Sequence, residues 1–377
     1  MFPVVISFGT EQTSLIFPVP PRGIILPEYS CSRVSSMRPT LIAVLSTAAL
    51  LVAISLAAPT PKPLQIYFID VEGGQATLVV SPSGESLLID AGWPGNEGRD
   101  ADRILAAAHQ AGLKQIDYVM ITHYHRDHVG GVPQLVDGIK VGTFVDHGPN
   151  LEDSQVTRTD YAAYEKAIAG HPRVTVKPGW ALPIKGIEVR VLTAAGEHIT
   201  DPLPGAGEAN SYCKSQAAAP EDPTENARSV GILITYGKFR FLDLGDLTKK
   251  KELELACPNN LLGTVDLFLV THHGSDPSNP KALVWSLHPR VGVIDNGARK
   301  GASPAAWQIV HDAPGVEDLW QLHYAAESDR AHNVDPDHVA NVKENCEGKY
   351  FKVTADPDGS FTLNNARTGN QKIYAKK

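Results

Sequence analysis

The segment His123-Tyr124-His125-Arg126-Asp127-His128 constrains this chain more than any other, because it follows directly on a strand-like apolar run, Asp117-Tyr118-Val119-Met120-Ile121-Thr122. Alternate residues of an extended segment point the same way, so His123 and His125 can grip one metal ion. Asp127 and His128 fall in the next turn and point elsewhere, toward a second ion. Val129-Gly130-Gly131 behind them permits close backbone approach. The sequence holds 14 histidines in 377 residues, and a run of surface-loop histidines does not account for this spacing.

Two cations held close together repel, so such a centre needs further negative donors, ideally one bridging carboxylate. Asp246, in Phe241-Leu242-Asp243-Leu244-Gly245-Asp246, is placed for this because Gly245 allows a turn at a strand end. Asp243 is the rival, but it lies within the strand, where it can cap or pair. Farther on, Thr271-His272-His273-Gly274-Ser275 follows the strand Val265–Val270 and offers one histidine to the second ion. His272, first beyond the strand, is favoured over His273. The residues expected to carry chemistry are Asp127, His128 and Asp246.

The rest of the chain reads as strands with helices between them. Strand runs are Leu64–Val71, Ala76–Val80, Ser86–Asp90, Val230–Tyr236 and Phe239–Leu244, with short strands between Val174 and Leu192. Ala101–Gly112 and the polar stretch from about Asn150 to His171 read as helical. Residues 196–226 are rich in Pro, Gly, Ala, Glu and Asn and read as a long insertion loop. Asp356-Pro357-Asp358-Gly359-Ser360 is a hairpin turn. This alternation implies an α/β (α+β) sheet-on-sheet core covered by helices, one domain over 64–377.

The N-terminus reads as an address. Arg38 precedes the apolar run Leu41–Ala58, and a Pro-rich linker follows at 59–63, the pattern of a secretory signal with translation starting at Met37. The alternative is an uncleaved membrane anchor. Either way the chain is expected to be exported, to the periplasm or beyond, touching a membrane only through this segment. Four cysteines lack CxxC spacing, and loss of Cys31 leaves Cys213, Cys257 and Cys346, so at most one internal disulfide can form. A net charge of −8 advertises no nucleic-acid partner.

The HxHxDH run, a strand-terminal Asp, the Gly-Asp carboxylate and the late His, in this order, resemble the metallo-β-lactamase superfamily. The resemblance covers about 64 to 365 and implies an αββα sandwich with a binuclear metal site at the sheet edges. Asp70-Val71-Glu72-Gly73-Gly74-Gln75-Ala76, Asn226-Ala227-Arg228-Ser229-Val230 and His272-His273-Gly274-Ser275 look like the hydrolase domain of ComEC-type competence proteins. By that resemblance His123, His125, Asp127, His128, Asp246 and His272 or His273 are metal ligands, and Asp90 orients the loop from behind them. Ser229 stands in the same supporting tier. Where most members place a third histidine on the first ion, this chain offers Asn226, a weaker and harder donor that shifts the balance toward manganese or leaves that site partly empty, with zinc still the first expectation; His147 is the alternative ligand. The ComEC group usually carries Asp where Gln75 stands, and His where Ser303 precedes Pro304.

Two divalent ions, zinc or manganese, about 3.5–4 Å apart would activate a water for attack on a phosphorus or carbonyl centre. Arg299 and Lys300 can clamp an anionic substrate. His311, His323 and Tyr324 either reach the mouth of the site or pack on the surface, and Trp285, Trp307 and Trp320 read as core. The expectation is an exported metal-dependent hydrolase of small or polymeric phosphodiesters, with nucleic acid disfavoured by charge. The rival readings are hydrolysis of a lactone, lactam or thioester, and a non-catalytic metal-holding module.

Overall fold

Short apolar runs bounded by turn residues set the architecture of the computed structural model, which describes residues 62–377. The N-terminal stretch read as a signal and nearly all of the Pro-rich linker lie outside the described residues. The chain begins with an antiparallel meander, β1 (Leu64–Phe68), β2 (Thr77–Val80) and β3 (Ser86–Ile89). It continues with three parallel strands, β4 (Gln115–Met120), β5 (Lys140–Asp146) and β6 (Arg173–Thr175). Their crossovers carry α1 (Arg99–Gln110), the short α2 (Arg126–Val129) and α3 (Val132–Gly138), and α4 (Gln155–Ala167).

A second sheet repeats the scheme. β7 (Ala181–Leu182), β8 (Glu188–Ala194), β9 (Glu197–His198), β10 (Gly231–Tyr236) and β11 (Phe239–Asp243) pair antiparallel. Next come β12 (Leu267–Leu269), β13 (Val291–Ile294), β14 (Asp318–His323) and β15 (Val339–Asn341), stacked parallel onto β11. The helices of this half are α5 (Lys249–Ala256), α6 (Thr271–Gly274), α7 (Lys281–Leu287) and α8 (Pro304–His311). The chain then returns to the first sheet as β16 (Phe351–Ala355), β17 (Phe361–Asn365) and β18 (Gln371–Tyr374), with β16 beside β1 and Leu64 opposite Ala355. Among the described residues each sheet has nine strands.

Three apolar layers hold this together, as an αββα sandwich requires. Ile66, Phe68, Ile89 and Val353 of the first sheet meet Val191, Ile232, Phe241 and Leu269 of the second between the sheets. Ile104 and Ala108 of α1 pack with Leu88, Val119 and Phe144 on one outer face. Leu255, Leu283, Val284 and Val310 cover Leu242 and Phe268 on the other. Trp320 is buried and donates from Nε1 to Tyr374 Oη at 3.0 Å, tying the end of the chain into the inner layer.

The 196–226 insertion holds β9 and two single 3₁₀ turns, Ser211–Ser215 and Glu225–Arg228. A disulfide joins Cys213 in this insertion to Cys257 after α5, and Cys346 is free. Cross-linking a loop of that span, 44 residues, stabilises the fold by roughly 3–4 kcal/mol. Among the described residues no helix is long and apolar enough to cross a membrane.

Parallel strands place their carboxyl ends on one edge, and functional groups of open α/β sheets gather there. In this molecule β3, β4 and β5 of one sheet and β11, β12, β13 and β14 of the other all end at the same rim. That rim receives Asp90, the 122–128 segment, His147, Asp246, His272–His273, Asp295 and His323.

Candidate metal centre

The chain leaves β4 in an extended conformation, His125 (φ −70°, ψ 150°) precedes α2, and the single turn of α2 carries Asp127 and His128. Two glycines make room for this turn. A Cβ on Gly74 would lie 2.3 Å from Asp127 O, so the β1–β2 loop approaches only because that residue has no side chain. Gly245 at φ 55° turns the chain after β11 and swings Asp246 toward the rim.

Hydrogen bonds behind the histidines fix their tautomers. Thr122 Oγ1 donates to Asp90 Oδ2 at 2.6 Å, so it accepts from His123 Nδ1 at 3.0 Å, and His123 Nε2 is left as a lone pair facing the rim. Asp90 Oδ2 accepts from His128 Nδ1 at 2.7 Å, which likewise frees His128 Nε2. Ser278 Oγ donates to Leu247 O at 2.7 Å and accepts from His272 Nδ1 at 3.1 Å, freeing His272 Nε2. His125 is the reverse case: its Nε2 donates to Glu152 Oε2 at 2.8 Å, leaving Nδ1 as the donor atom. A carboxylate or hydroxyl behind each imidazole is the usual way a protein orients a metal ligand.

The freed atoms converge on Asp246. Its Oδ2 lies 3.2 Å from His128 Nε2, 3.4 Å from His272 Nε2 and 4.0 Å from His123 Nε2, while Oδ1 lies 3.4 Å from His273 Nε2. Asp127 Oδ2 lies 3.4 Å from His128 Nε2 and 3.3 Å from His273 Nε2. Asp127, His128, Asp246 and His273 therefore present four donor atoms within 4.8 Å of one another, all from buried residues. One carboxylate with an oxygen toward each half of the cluster is the bridging arrangement that paired cations need.

Unpartnered atoms support the same fit. His123 Nε2, Asp246 Oδ1 and Asn226 Oδ1 are buried with no hydrogen-bond partner, and such groups cost free energy unless something satisfies them. The two imidazole nitrogens of His128 and His273 stand 3.2 Å apart. Without cations the cluster balances its charge with protons. Burial opposes it, but the surrounding Asp246, Asp127 and Asp90 carboxylates hold His128 well above the usual imidazole range. Burial likewise opposes protonation of His273, yet Asp246 pushes it up to about 10. Burial would raise Asp127, but the neighbouring His128 and Lys300 charges hold it well below the carboxylate range. Burial, reinforced by His128 and His125, keeps His123 neutral, with its pKa well below the usual value. Protons thus sit where divalent ions, exchanging with them, would relieve the same excess of negative charge.

The structure sorts the sequence-derived residues. His123, Asp127, His128, Asp246, His272 and His273 come together, and Asp90 lies behind His128. His273, not the favoured His272, joins Asp127 and His128, because φ values of 58° and 54° at His272 and His273 twist α6 so that the second imidazole reaches inward. His272 instead faces Asn226, with Asn226 Nδ2 3.5 Å from His272 Nε2. Asp243 stays out of the cluster and accepts from Gln75. Ser229 Oγ accepts from Asp246 N at 3.3 Å, so it holds the backbone under the carboxylate. His147 is taken up elsewhere: its Nε2 meets Glu225 Oε2 at 2.8 Å in a buried pair. Lys300 Nζ pairs with Asp127 Oδ2 and lies 5.0 Å above the Trp93 ring. Arg299 points away, exposed and doubly bonded to Glu344. His311 stacks on Trp307 at the surface, and His323 is fully buried against Asp70. Trp307 is buried like Trp320, whereas Trp285 is only partly so.

Sequence reasoning missed Thr122, Glu152, Glu225, Ser278 and Asp295. Thr122 adjoins the histidine motif and was open to inspection. Glu152 and Glu225 sit in polar loops where nothing in the sequence separates them from solvated acids.

Comparison with known proteins finds relatives that share part of this chain. Residues 69–215 match the Metallo-beta-lactamase superfamily. The chain is 26% identical over 188 residues to ComE operon protein 3 of Bacillus subtilis (strain 168), covering 49% of this chain and 20% of that protein. It is 25% identical over 235 residues to Recombination protein 2 of Haemophilus influenzae, covering 62% of this chain and 24% of that one. The chain thus spans a quarter or less of the length of these relatives. Among solved structures, the metallo-beta-lactamase fold protein YhfI from Bacillus subtilis aligns with a TM-score of 0.43 at 12% identity, covering 69% of this chain and 96% of YhfI. The resemblance to the superfamily and to ComEC-type proteins is borne out.

Proposed function

We propose that this hydrolase of metallo-β-lactamase type is an exported enzyme that cleaves phosphodiesters with two divalent ions. His123, His125, His272 and Asn226 would hold one ion, Asp127, His128 and His273 the other, and Asp246 would reach both. Such ions supply Lewis acidity, lowering the pKa of water and neutralising charge on a phosphoryl oxygen.

The remaining work belongs to the side chains. Asp90, Thr122, Ser278 and Glu152 hold His123, His125, His128 and His272 each in one tautomer and one orientation, so little reorganisation accompanies the reaction. Lys300 supplies a cation at the rim. Its partner Asp127 is also a candidate ligand, so neutralisation of that carboxylate frees the ammonium for an anionic oxygen of the substrate. The observation that carries the reading is Asp246, whose two oxygens face His128, His272 and His273 within 3.4 Å. A zinc pair suits the imidazoles, and manganese suits the asparagine oxygen and carboxylates.

Export is supported by the apolar run ending at Ala58 in the sequence and by the Cys213–Cys257 disulfide, which persists in oxidising compartments. Mass spectrometry of the protein recovered outside the cytoplasm tests it, with loss of the residues before Pro59 expected.

The activity test is release of nitrophenol from bis(p-nitrophenyl) phosphate by protein loaded with zinc or manganese, abolished by EDTA. Turnover of nitrocefin or a lactone, with none of the phosphodiester, would replace the reading by carbonyl hydrolysis. The net charge of −8 favours a short substrate over a long duplex.

A further inference from the structure

A second group of metal-binding side chains stands apart from Asp246 and its neighbours. Asp70 and Glu72 lie in the β1–β2 turn, His323 ends β14, and Cys346 lies between β15 and β16. One donor atom from each falls within 4.8 Å of all the others. Cys346 Sγ is 3.3 Å from Asp70 Oδ2, 3.4 Å from Glu72 Oε1 and 4.0 Å from His323 Nε2. His323 Nε2 is 2.8 Å from Asp70 Oδ1 and 3.4 Å from Glu72 Oε2. Zinc bonds of about 2.0–2.3 Å set tetrahedral donors roughly 3.3–3.8 Å apart, and these separations, taken to either oxygen of each carboxylate, bracket that range from 2.8 to 4.0 Å.

We propose that Asp70, Glu72, His323 and Cys346 form a separate site for a zinc-class divalent cation, clamping the β1–β2 turn to the second sheet and to the segment leading into β16.

Charge and donor type argue for it. Arg103 Nη1 is 2.8 Å from Asp70 Oδ2 and 3.1 Å from Glu72 Oε1, so one guanidinium faces two carboxylates. With the thiol ionised, three negative charges meet the three positive charges of Arg103 and a divalent ion. A sulfur, an imidazole nitrogen and two carboxylate oxygens suit zinc better than magnesium or calcium. His323 is fully buried and its Nδ1 has no partner, so the polar contacts of the ring are those of its Nε2. A cation bound there takes the sulfur lone pair and releases the thiol proton to solvent.

The site differs from the main centre in holding a thiol, which makes it separately visible. The full chain is stripped of metal and titrated with Co²⁺, and sulfur-to-cobalt charge transfer is followed in the near ultraviolet. Wild type and Asp246→Asn are expected to show the band. Cys346→Ser is expected to lose it and to bind one fewer cobalt per chain. Glu72→Gln, which keeps the thiol, is expected to weaken the affinity read from the band by about tenfold or more. No band in wild type, or the same band in Cys346→Ser, overturns the proposal. If Cys346→Ser does not fold, an unchanged affinity in Glu72→Gln does so.

Discussion

Gln75 Nε2 donates to Asp243 Oδ2 at 2.7 Å, both residues being buried, so the turn after β1 is pinned to the end of the strand that delivers Asp246. Burial raises the Asp243 carboxyl to about 8, so at neutral pH it is largely protonated and still has an oxygen to accept the amide. Gln75→Ala leaves that oxygen unpaired in the interior, and the expected loss is about 1–3 kcal/mol of stability. Urea unfolding at pH 7 checks it. A midpoint equal to that of wild type would mean that the turn is held by Gly74 and Asp127 alone.

Asp90→Asn should leave the fold intact while loosening the metal centre. The amide can still meet His128 Nδ1 but no longer favours the proton on that nitrogen, so Nε2 ceases to be reliably a lone pair. Asp90 has φ 60°, a conformation asparagine accepts, so backbone strain is not added. Loss of such a supporting carboxylate costs about 10–100-fold in metal affinity. Competition against a chromophoric chelator measures this, with unchanged circular dichroism as the control.

Lys300→Ala should separate anionic from neutral substrates. A charge-assisted hydrogen bond is worth about 1.5–3 kcal/mol, so its loss should raise KM for bis(p-nitrophenyl) phosphate by roughly 10–100-fold. A neutral nitrophenyl ester should be nearly unaffected. Equal losses on both substrates would show that the ammonium serves Asp127 rather than the substrate.

The sequence made some of this legible and concealed the rest for physical reasons. His123 to His128 carry their meaning in spacing, because β4 ends where an extended segment and one helical turn divide four ligand-type side chains. The αββα arrangement was implied by the resemblance to the metallo-β-lactamase superfamily that this motif carries. The choice between His272 and His273 did not, since it depends on two consecutive residues with positive φ that no local pattern announces. β13, with the short apolar run Val291–Ile294, is buried on every side and carries no alternation to mark it as strand rather than helix. Arg299 and Lys300 are neighbours of the same type, and only tertiary pairing sends one to Glu344 and the other to Asp127. Cys346 and His323 are 23 residues apart, and the sequence gives no sign that both meet Asp70.

Glu252 offers a test in which the pH dependence has a definite sign. It is fully buried on α5, its Oε2 accepts from Asn279 N at 2.8 Å, and its Oε1 has no partner. Burial raises its pKa from 4.5 to about 8. Between those values the folded chain keeps a proton that the unfolded chain has released, so stability falls as pH rises from about 4.5 and levels off above about 8. Each pH unit in that window removes about 1.4 kcal/mol, so the full penalty is on the order of 5 kcal/mol. Glu252→Gln keeps the acceptor for Asn279 and cannot ionise. Its melting temperature should match wild type near pH 5 and exceed it increasingly up to about pH 8. Melting curves that stay parallel across this range would mean that Glu252 is solvated in the native state and titrates as an ordinary acid.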